Sequence, residues 1–170
     1  AAGERGDSGL EVAAPRRVVG RRVQVRRDVE DAGWFQVRGW RMSSDASRIR
    51  AAADRYGHLV DHIAGRYTNP VTGKRLSGAA LLLKVAQGES SALTSDKARS
   101  AVSPAGARGW MQFMPSSRAV AIQKYGVDPW RTPEEAVRAA TLHLRGKING
   151  QTGLEGYNPG SSTYPSYILG

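Results

Sequence analysis

The chain has 170 residues, enough for one domain with a buried core, and it contains no cysteine. The lack of cysteine excludes disulfides, cysteine nucleophiles and thiolate metal sites. A formal charge of +10 favours a polyanionic partner, which includes nucleic acid, an acidic membrane surface and a bacterial wall rich in carboxylates and phosphates. No apolar run approaches the roughly 18 residues that a membrane-spanning helix needs.

The N-terminal region differs in character from the rest of the chain. It has neither the basic start nor the apolar middle of a secretory signal, and it lacks an initiator Met, so we expect a processed or excised product. Residues 1–15 are typical of a flexible tail. Alternating valines and arginines, a turn at Glu30–Gly33 and an aromatic segment then predict a β-hairpin at about 17–41. This basic hairpin could bind nucleic acid by stacking and charge, although docking on its own domain or on a partner subunit is the interpretation we favour.

From Ser44 onward the pattern becomes helical. Ser44 and Asp45 can cap a helix whose apolar residues recur at three- and four-residue steps until near Tyr67. Ser77 can cap a second helix, from 78 to about 90, which is apolar nearly all round and should therefore lie in the centre of the core.

The second half of the chain predicts two more helices. Residues 91–109 are typical of an irregular loop, whereas 116–125 and 133–147 have helical patterns, the latter with Thr132 as a capping residue. Glycines 150, 153 and 156 are expected to loosen the segment that follows. We therefore predict a mainly α (α+β) fold with a helical domain at 46–170, preceded at 1–45 by the tail and the hairpin.

Glu89 lies at the end of the apolar helix, on the face that also carries Leu82, Val85 and Ala86. Burial there would disfavour the charged carboxylate and raise its pKa, which is the condition for a general acid near neutral pH. Cleavage of a glycosidic bond needs such an acid to protonate the leaving oxygen. A glutamate at a helix end also often points into water, so this position alone leaves both interpretations open.

Three blocks of sequence resemble the soluble lytic transglycosylase family, whose catalytic domain has a lysozyme-like fold. They are Glu89-Ser90, then Ser103-Pro104-Ala105-Gly106-Ala107-Arg108-Gly109-Trp110-Met111-Gln112-Phe113-Met114-Pro115, and Gly156-Tyr157-Asn158-Pro159-Gly160. The family pattern is Glu-Ser, a Ser-x-x-Gly-Ala-x-Gly-Leu-Met-Gln-x-x-Pro run, and Ala-Tyr-Asn-Ala-Gly. The blocks occur in the family's order, and the resemblance covers roughly 46–170.

The chain departs from the family pattern at four points. Trp110 replaces the usual Leu, and Pro159 replaces an Ala. A short insertion lies between Glu89 and Ser103, and the Tyr-Asn block is preceded by glycines where the family has a helix. We expect the two substitutions to leave the chemistry intact, and the insertion to reshape the cleft wall.

The resemblance implies roles for particular residues. Glu89 would be the catalytic acid, and the side chains implied to bind or contact the substrate are Ser103, Met111, Gln112, Tyr157 and Asn158. The family tyrosine that Tyr157 resembles has its hydroxyl close to the catalytic glutamate. Neither a cofactor nor a metal is implied.

The resemblance also implies the reaction, which is cleavage of the bond between N-acetylmuramic acid (MurNAc) and N-acetylglucosamine (GlcNAc) in peptidoglycan, leaving 1,6-anhydro ends. A hydrolysing lysozyme commonly uses two carboxylates. Asp96 is the only other acid between Glu89 and Gln112, so the shortage of acids favours transglycosylation.

Two further alternatives remain open. One is a wall-binding structural component of a phage tail or secretion assembly, joined to other subunits through residues 1–45. The other is a nucleic-acid binder, which would leave Glu89 and Gln112 without a role and is disfavoured. A location in the bacterial envelope or on a virion is expected.

Overall fold

The computed structural model describes residues 41–146 and 151–170, which form a mainly helical domain. The α-helices are α1 (Ala46–Tyr56), α2 (Asp61–Ala64), α3 (Gly78–Ser90), α4 (Pro115–Tyr125), α5 (Pro133–Arg145), α6 (Gly153–Tyr157) and α7 (Tyr164–Leu169), with 3-10 helices at Gly57–Val60 and Asp96–Ser100. Extended pairing within these residues consists of isolated bridges only. The helical class is confirmed, whereas the hairpin predicted at 17–41 lies, apart from Arg41, outside the described residues.

Helix α3 is the centre of the core, as its composition predicted. Its residues from Gly78 to Ala86 are all buried, and α1, α2, α5 and α7 pack around it. The Ser77 hydroxyl caps the helix by accepting a hydrogen bond from the Ala80 amide at 3.1 Å. At the other end Ser91 takes a left-handed conformation with φ of 56°, which turns the chain away immediately after Glu89 and Ser90.

The first helix is shorter than predicted because its end contacts the start of α3. A Cβ atom on Gly78 would lie 1.8 Å from the Gly57 carbonyl oxygen, so the two backbones approach as closely as glycine allows. The Asp61 carboxylate accepts a hydrogen bond from the Gly78 amide at 2.7 Å. This contact interrupts the predicted continuous helix at Tyr56, and a 3-10 turn and α2 continue it as far as Ala64.

Asp45 precedes α1 but its side chain does not cap the helix, contrary to the prediction. Its carboxylate instead accepts hydrogen bonds from the Trp110 indole nitrogen at 2.9 Å and from the Arg99 guanidinium at 3.0 Å. Asp45 is 5% exposed and Trp110 is 2% exposed. The carboxylate therefore provides the buried acceptor that an indole N–H requires.

Within the glycine-rich segment before Tyr157, the residues from Gly153 onward are helical rather than loose, which corrects the sequence-based expectation for them. Gly153 starts α6 with φ of +74°, and a Cβ there would lie 2.1 Å from an Arg66 guanidinium nitrogen and 2.5 Å from the Tyr67 hydroxyl. That hydroxyl accepts a hydrogen bond from the Leu154 amide at 2.9 Å. The glycine is thus required by close packing, and the helix it starts carries Tyr157 towards the end of α3.

The other predicted helices agree with the structure to within two residues at either end. Helix α4 covers Pro115–Tyr125, and α5 covers Pro133–Arg145, with the Thr132 hydroxyl accepting from the Glu135 amide as expected of a capping residue. The loop predicted at 91–109 is mostly irregular but contains one 3-10 helix. No helix among the described residues is long and apolar enough to cross a bilayer.

Candidate active site

A cavity of about 460 Å³ lies beside the end of α3. Its walls come from the end of α3, the 103–114 segment, α4, α5 and the segment after α6, so elements distant in sequence meet around it. The lining residues are Glu89, Ser103, Ala105, Ala107, Gln112, Met114, Ser117, His143, Tyr157, Asn158 and Pro159. Five of the six residues that the sequence predicted for the site therefore share one cavity, and Met111 does not line it.

Glu89 is half-buried and lines this cavity. Burial raises the pKa of its carboxyl group above the ordinary value for a glutamic acid, and a hydrogen bond from Tyr164 opposes that rise. Because burial is the larger effect, the protonated form persists to higher pH than in an exposed glutamic acid. This environment is what a general acid needs.

Tyr164, at the start of α7, donates its phenolic hydrogen to Oε1 of Glu89. Its side chain is 5% exposed, and its ring stacks parallel to that of Tyr157 with centroids 6.0 Å apart. Burial, with the nearby Tyr157 and Glu89, raises the pKa of Tyr164 well above the ordinary range, so the phenol remains protonated and acts only as a donor to the carboxylate.

Tyr157 lies close to Glu89 but its hydroxyl bonds elsewhere. It donates to the Met111 carbonyl oxygen at 3.0 Å, which connects α6 to the 103–114 segment. Burial first, and the charge on Glu89 second, raise the pKa of Tyr157 well above its ordinary value. The hydrogen bond to the carboxyl group is thus made by Tyr164, a residue that the motif comparison did not identify.

The 103–113 segment forms a wall that is fixed to the end of α3. Ser90, next to Glu89, donates its hydroxyl hydrogen to the Trp110 carbonyl oxygen at 2.7 Å. Ser103 lies in a tight turn, where its amide and hydroxyl bond to the backbone of Ala107 at 2.8 and 3.0 Å. The Ser103 hydroxyl accepts in this bond, so its hydrogen stays available to a ligand in the cavity.

Gln112 adopts a left-handed conformation with φ of 49°, which is unusual for a residue other than glycine. Its side-chain nitrogen donates to the carbonyl oxygens of Gly109 and Ala101 at 3.0 and 3.3 Å. These bonds hold the amide in one orientation. Its Oε1 accepts no hydrogen bond from the described residues, so it can accept a donor from a ligand. Backbone strain of this kind is often found at functional sites.

The remaining predicted residues have different surroundings. The Met111 side chain is 1% exposed and packs in the core, so its contribution to the site is the carbonyl that receives Tyr157. Asn158 is exposed at the cavity rim, and its carbonyl oxygen accepts from the Ser161 amide at 3.2 Å. Its side chain is therefore accessible to a ligand.

Two further lining residues, His143 and Ser117, lie outside the motif blocks and were not predicted from the sequence. His143 lies on α5 against Phe113 and Tyr157, with ring centroids 5.4 and 4.8 Å away, and burial lowers its pKa so that the neutral ring is favoured. Its position three residues after Ala140, on the buried face of α5, was the available signal. Ser117, in the first turn of α4, had no signal beyond its closeness to the Gln112 block. For Tyr164, the Thr-Tyr-Pro order at 163–165 indicated a helix start.

Glu89 is the one carboxylic acid that lines this cavity among residues 41–146 and 151–170. Asp96, the other acid considered from the sequence, is exposed and accepts from the Ser44 amide and hydroxyl at 2.7 and 2.9 Å. These bonds lower the pKa of Asp96 and hold its carboxylate against Ser44. In the same part of the chain, no group of three or more His, Asp or Glu side chains has the arrangement of a metal site.

Comparisons with known proteins agree with this geometry. The family model described as the transglycosylase SLT domain matches residues 68–167, which is 100 of the 170 residues and includes the whole cavity lining and Tyr164. Neither a curated protein nor a solved structure matches the chain. Since the match covers more than half of the chain, this protein belongs to the transglycosylase SLT domain family, which acts on peptidoglycan in the cell wall.

Proposed function

We propose that this chain cleaves the β-1,4 bond between MurNAc and GlcNAc in peptidoglycan, with Glu89 acting first as an acid and then as a base. The observation that carries the proposal is the half-buried carboxyl group of Glu89, alone among described carboxylic acids in lining the cavity and with a pKa raised by burial. Such a group holds its proton until a glycosidic oxygen takes it.

The first step is protonation of the leaving oxygen. Tyr164 donates to Oε1 of Glu89, which leaves Oε2 as the oxygen that carries the acidic proton. When that proton moves to the glycosidic oxygen, the bond to C1 of MurNAc breaks and the carboxylate becomes charged. Tyr164 stabilises this charged form, because a hydrogen bond to a carboxylate is stronger than one to the neutral acid.

In the second step the carboxylate accepts the proton of the C6 hydroxyl of the same MurNAc, whose oxygen attacks C1. The product has a 1,6-anhydro end, and Glu89 returns to its protonated form. Because the attack is intramolecular, no second carboxylate is needed to position a water molecule. The hydrogen bonds that occupy Asp96 favour this route over hydrolysis by a pair of acids.

The other lining residues are proposed to hold the sugar. Gln112 presents Oε1 and Ser103 presents a hydroxyl hydrogen, which suit the amide hydrogen and the carbonyl oxygen of an N-acetyl group. Tyr157 is proposed to shape the site next to the carboxyl group, and Asn158 to contact sugar at the rim. For Met111 the proposed role is indirect, through the carbonyl that receives Tyr157.

The test is a turbidity assay on purified peptidoglycan followed by mass spectrometry of the released fragments. We expect fragments lighter than hydrolytic ones by the mass of one water, and we expect Glu89→Gln to lose at least about 100-fold in rate. Hydrated ends would instead indicate a lysozyme. If wild type and Glu89→Gln are equally inactive, the enzymatic proposal is wrong and a wall-binding role in a tail or secretion assembly, through residues 1–45, becomes the better explanation.

A further inference from the structure

We propose that Lys84 is a positioning residue for the catalytic acid: it holds α7 against the end of α3 so that Tyr164 keeps the carboxyl group of Glu89 in place. This inference rests on the proposed function, and its test includes a readout that does not require activity. Three contacts along one edge of α3 carry it.

Lys84 is a charged residue in the most apolar helix of the domain. It is 4% exposed, and its Nζ donates to the Leu169 carbonyl oxygen at 3.2 Å. That carbonyl is among the last of α7, where no intrahelical donor is available, and a cation near a helix C-terminus is favourable. The ammonium group therefore holds the end of α7.

Gly88 lies one turn after Lys84 on the same side of α3 and makes the second contact. A Cβ atom there would lie 2.6 Å from Cδ1 of Ile168, so the missing side chain makes room for Ile168. The Tyr167 hydroxyl donates to the Gly88 carbonyl oxygen at 2.7 Å. Two side chains near the end of α7 are thus held at Gly88, directly before the catalytic residue.

Tyr164 makes the third contact, from the opposite end of α7, by donating to Oε1 of Glu89. Helix α7 has only six residues and cannot be stable by itself, so its position depends on what it packs against. A displacement of α7 at Lys84 or Gly88 would therefore move the Tyr164 hydroxyl relative to the carboxyl group.

The experiment compares Lys84→Met, Tyr164→Phe and the double variant on peptidoglycan, with Lys97→Met as the matched control at an exposed lysine. We expect Tyr164→Phe and Lys84→Met each to reduce kcat roughly tenfold, with KM changed far less, because the lost bond matters most when the carboxylate is charged. Since Lys84 acts through Tyr164, the double variant should match Tyr164→Phe. Multiplied effects, or wild-type kcat in folded Lys84→Met, would overturn the proposal.

The second readout is the pKa of Glu89, followed by NMR titration of its carboxyl carbon. The titratable side chains around this carboxyl group are Tyr164 and Tyr157, with His143 lining the same cavity. Loss of the Tyr164 bond should raise the pKa of Glu89 in Lys84→Met, as in Tyr164→Phe, and shift the alkaline limb of the rate profile to higher pH.

Gly88→Leu separates positioning from charge, because it removes no cation and puts a bulky side chain where a Cβ alone would already lie 2.6 Å from Cδ1 of Ile168, so that more than the end of the Ile168 side chain must shift. It also serves if Lys84→Met does not fold. We expect it to raise the pKa of Glu89 as well, whereas an unchanged pKa in a folded Gly88→Leu would refute the positioning role. The titration keeps the two proposals distinguishable. If the protein has no activity on peptidoglycan but Lys84→Met still raises the pKa of Glu89, the proposed function is contradicted and the positioning role of Lys84 is supported.

Discussion

Trp110→Leu introduces the residue that is usual in the family, and we expect it to destabilise this protein. The Trp110 side chain is 2% exposed, and its indole nitrogen donates to Asp45 at 2.9 Å. Truncating a buried tryptophan to alanine costs about 3–5 kcal/mol, and leucine retains part of the volume, so we assign about 2–3 kcal/mol to lost packing.

The lost hydrogen bond adds to this cost. Asp45 is itself buried and would retain the Arg99 guanidinium as a donor. Hydrogen bonds to charged groups contribute about 1.5–3 kcal/mol, and the remaining donor favours the lower end. The expected total is about 4 kcal/mol, which corresponds to a fall in Tm of roughly 8–16 °C.

Thermal unfolding followed by circular dichroism measures this change, and Trp110→Phe is the matched control. Phenylalanine keeps most of the aromatic volume but has no N–H, so we expect it to lose about 2 kcal/mol. The bond from Ser90 goes to the Trp110 backbone, so below its Tm the Leu variant should keep activity within a few-fold of wild type. A Tm for Trp110→Leu within about 2 °C of wild type would refute this account of why a tryptophan stands here.

Three further outcomes are expected. In urea unfolding, the free energy of unfolding of Glu89→Gln should rise relative to that of wild type as pH rises. The Glu89 carboxyl has a raised pKa in the folded state, so its contribution to stability is complete below the unfolded-state pKa and is lost as pH rises through the folded-state pKa. A stability difference that does not change with pH would contradict this reasoning. Gly153→Ala should lower Tm by more than Gly106→Ala does. Both glycines have a positive φ, of +74° and +92°, but only a Cβ at position 153 would overlap other atoms. Equal decreases in Tm would exclude packing as the reason for glycine at 153. Tyr157→Phe should lower kcat roughly tenfold, because it removes the hydrogen bond to the Met111 carbonyl oxygen at 3.0 Å. An unchanged kcat in steady-state assays would show that this bond does not shape the site.

The central helix and its glutamate could be predicted from local sequence. An apolar stretch with Ser77 in front predicts a buried, capped helix, and both features depend only on neighbouring residues. The position of Glu89 on the buried face follows from helical periodicity alone. The motif blocks similarly identified Ser103, Gln112, Tyr157 and Asn158, which the structure brings to one cavity.

Contacts between distant segments could not be predicted in this way. Asp45 had the sequence context of a capping residue, but the indole of Trp110 and the Arg99 guanidinium compete for its carboxylate. Gly153 is typical of a flexible segment in the sequence, yet it starts a helix because Arg66 and Tyr67 leave no room for a side chain. In both cases the deciding partner lies more than fifty residues away.

The sequence by itself therefore determined the helical class, the position of the acid on a buried helix face and the family to which the chain belongs. Only the tertiary structure decided which tyrosine holds that acid, because the approach of Tyr164 depends on the packing of α7 along Lys84 and Gly88. Periodicity describes one helix at a time, whereas the protonation of Glu89 depends on burial and hydrogen bonding by residues that only folding brings together.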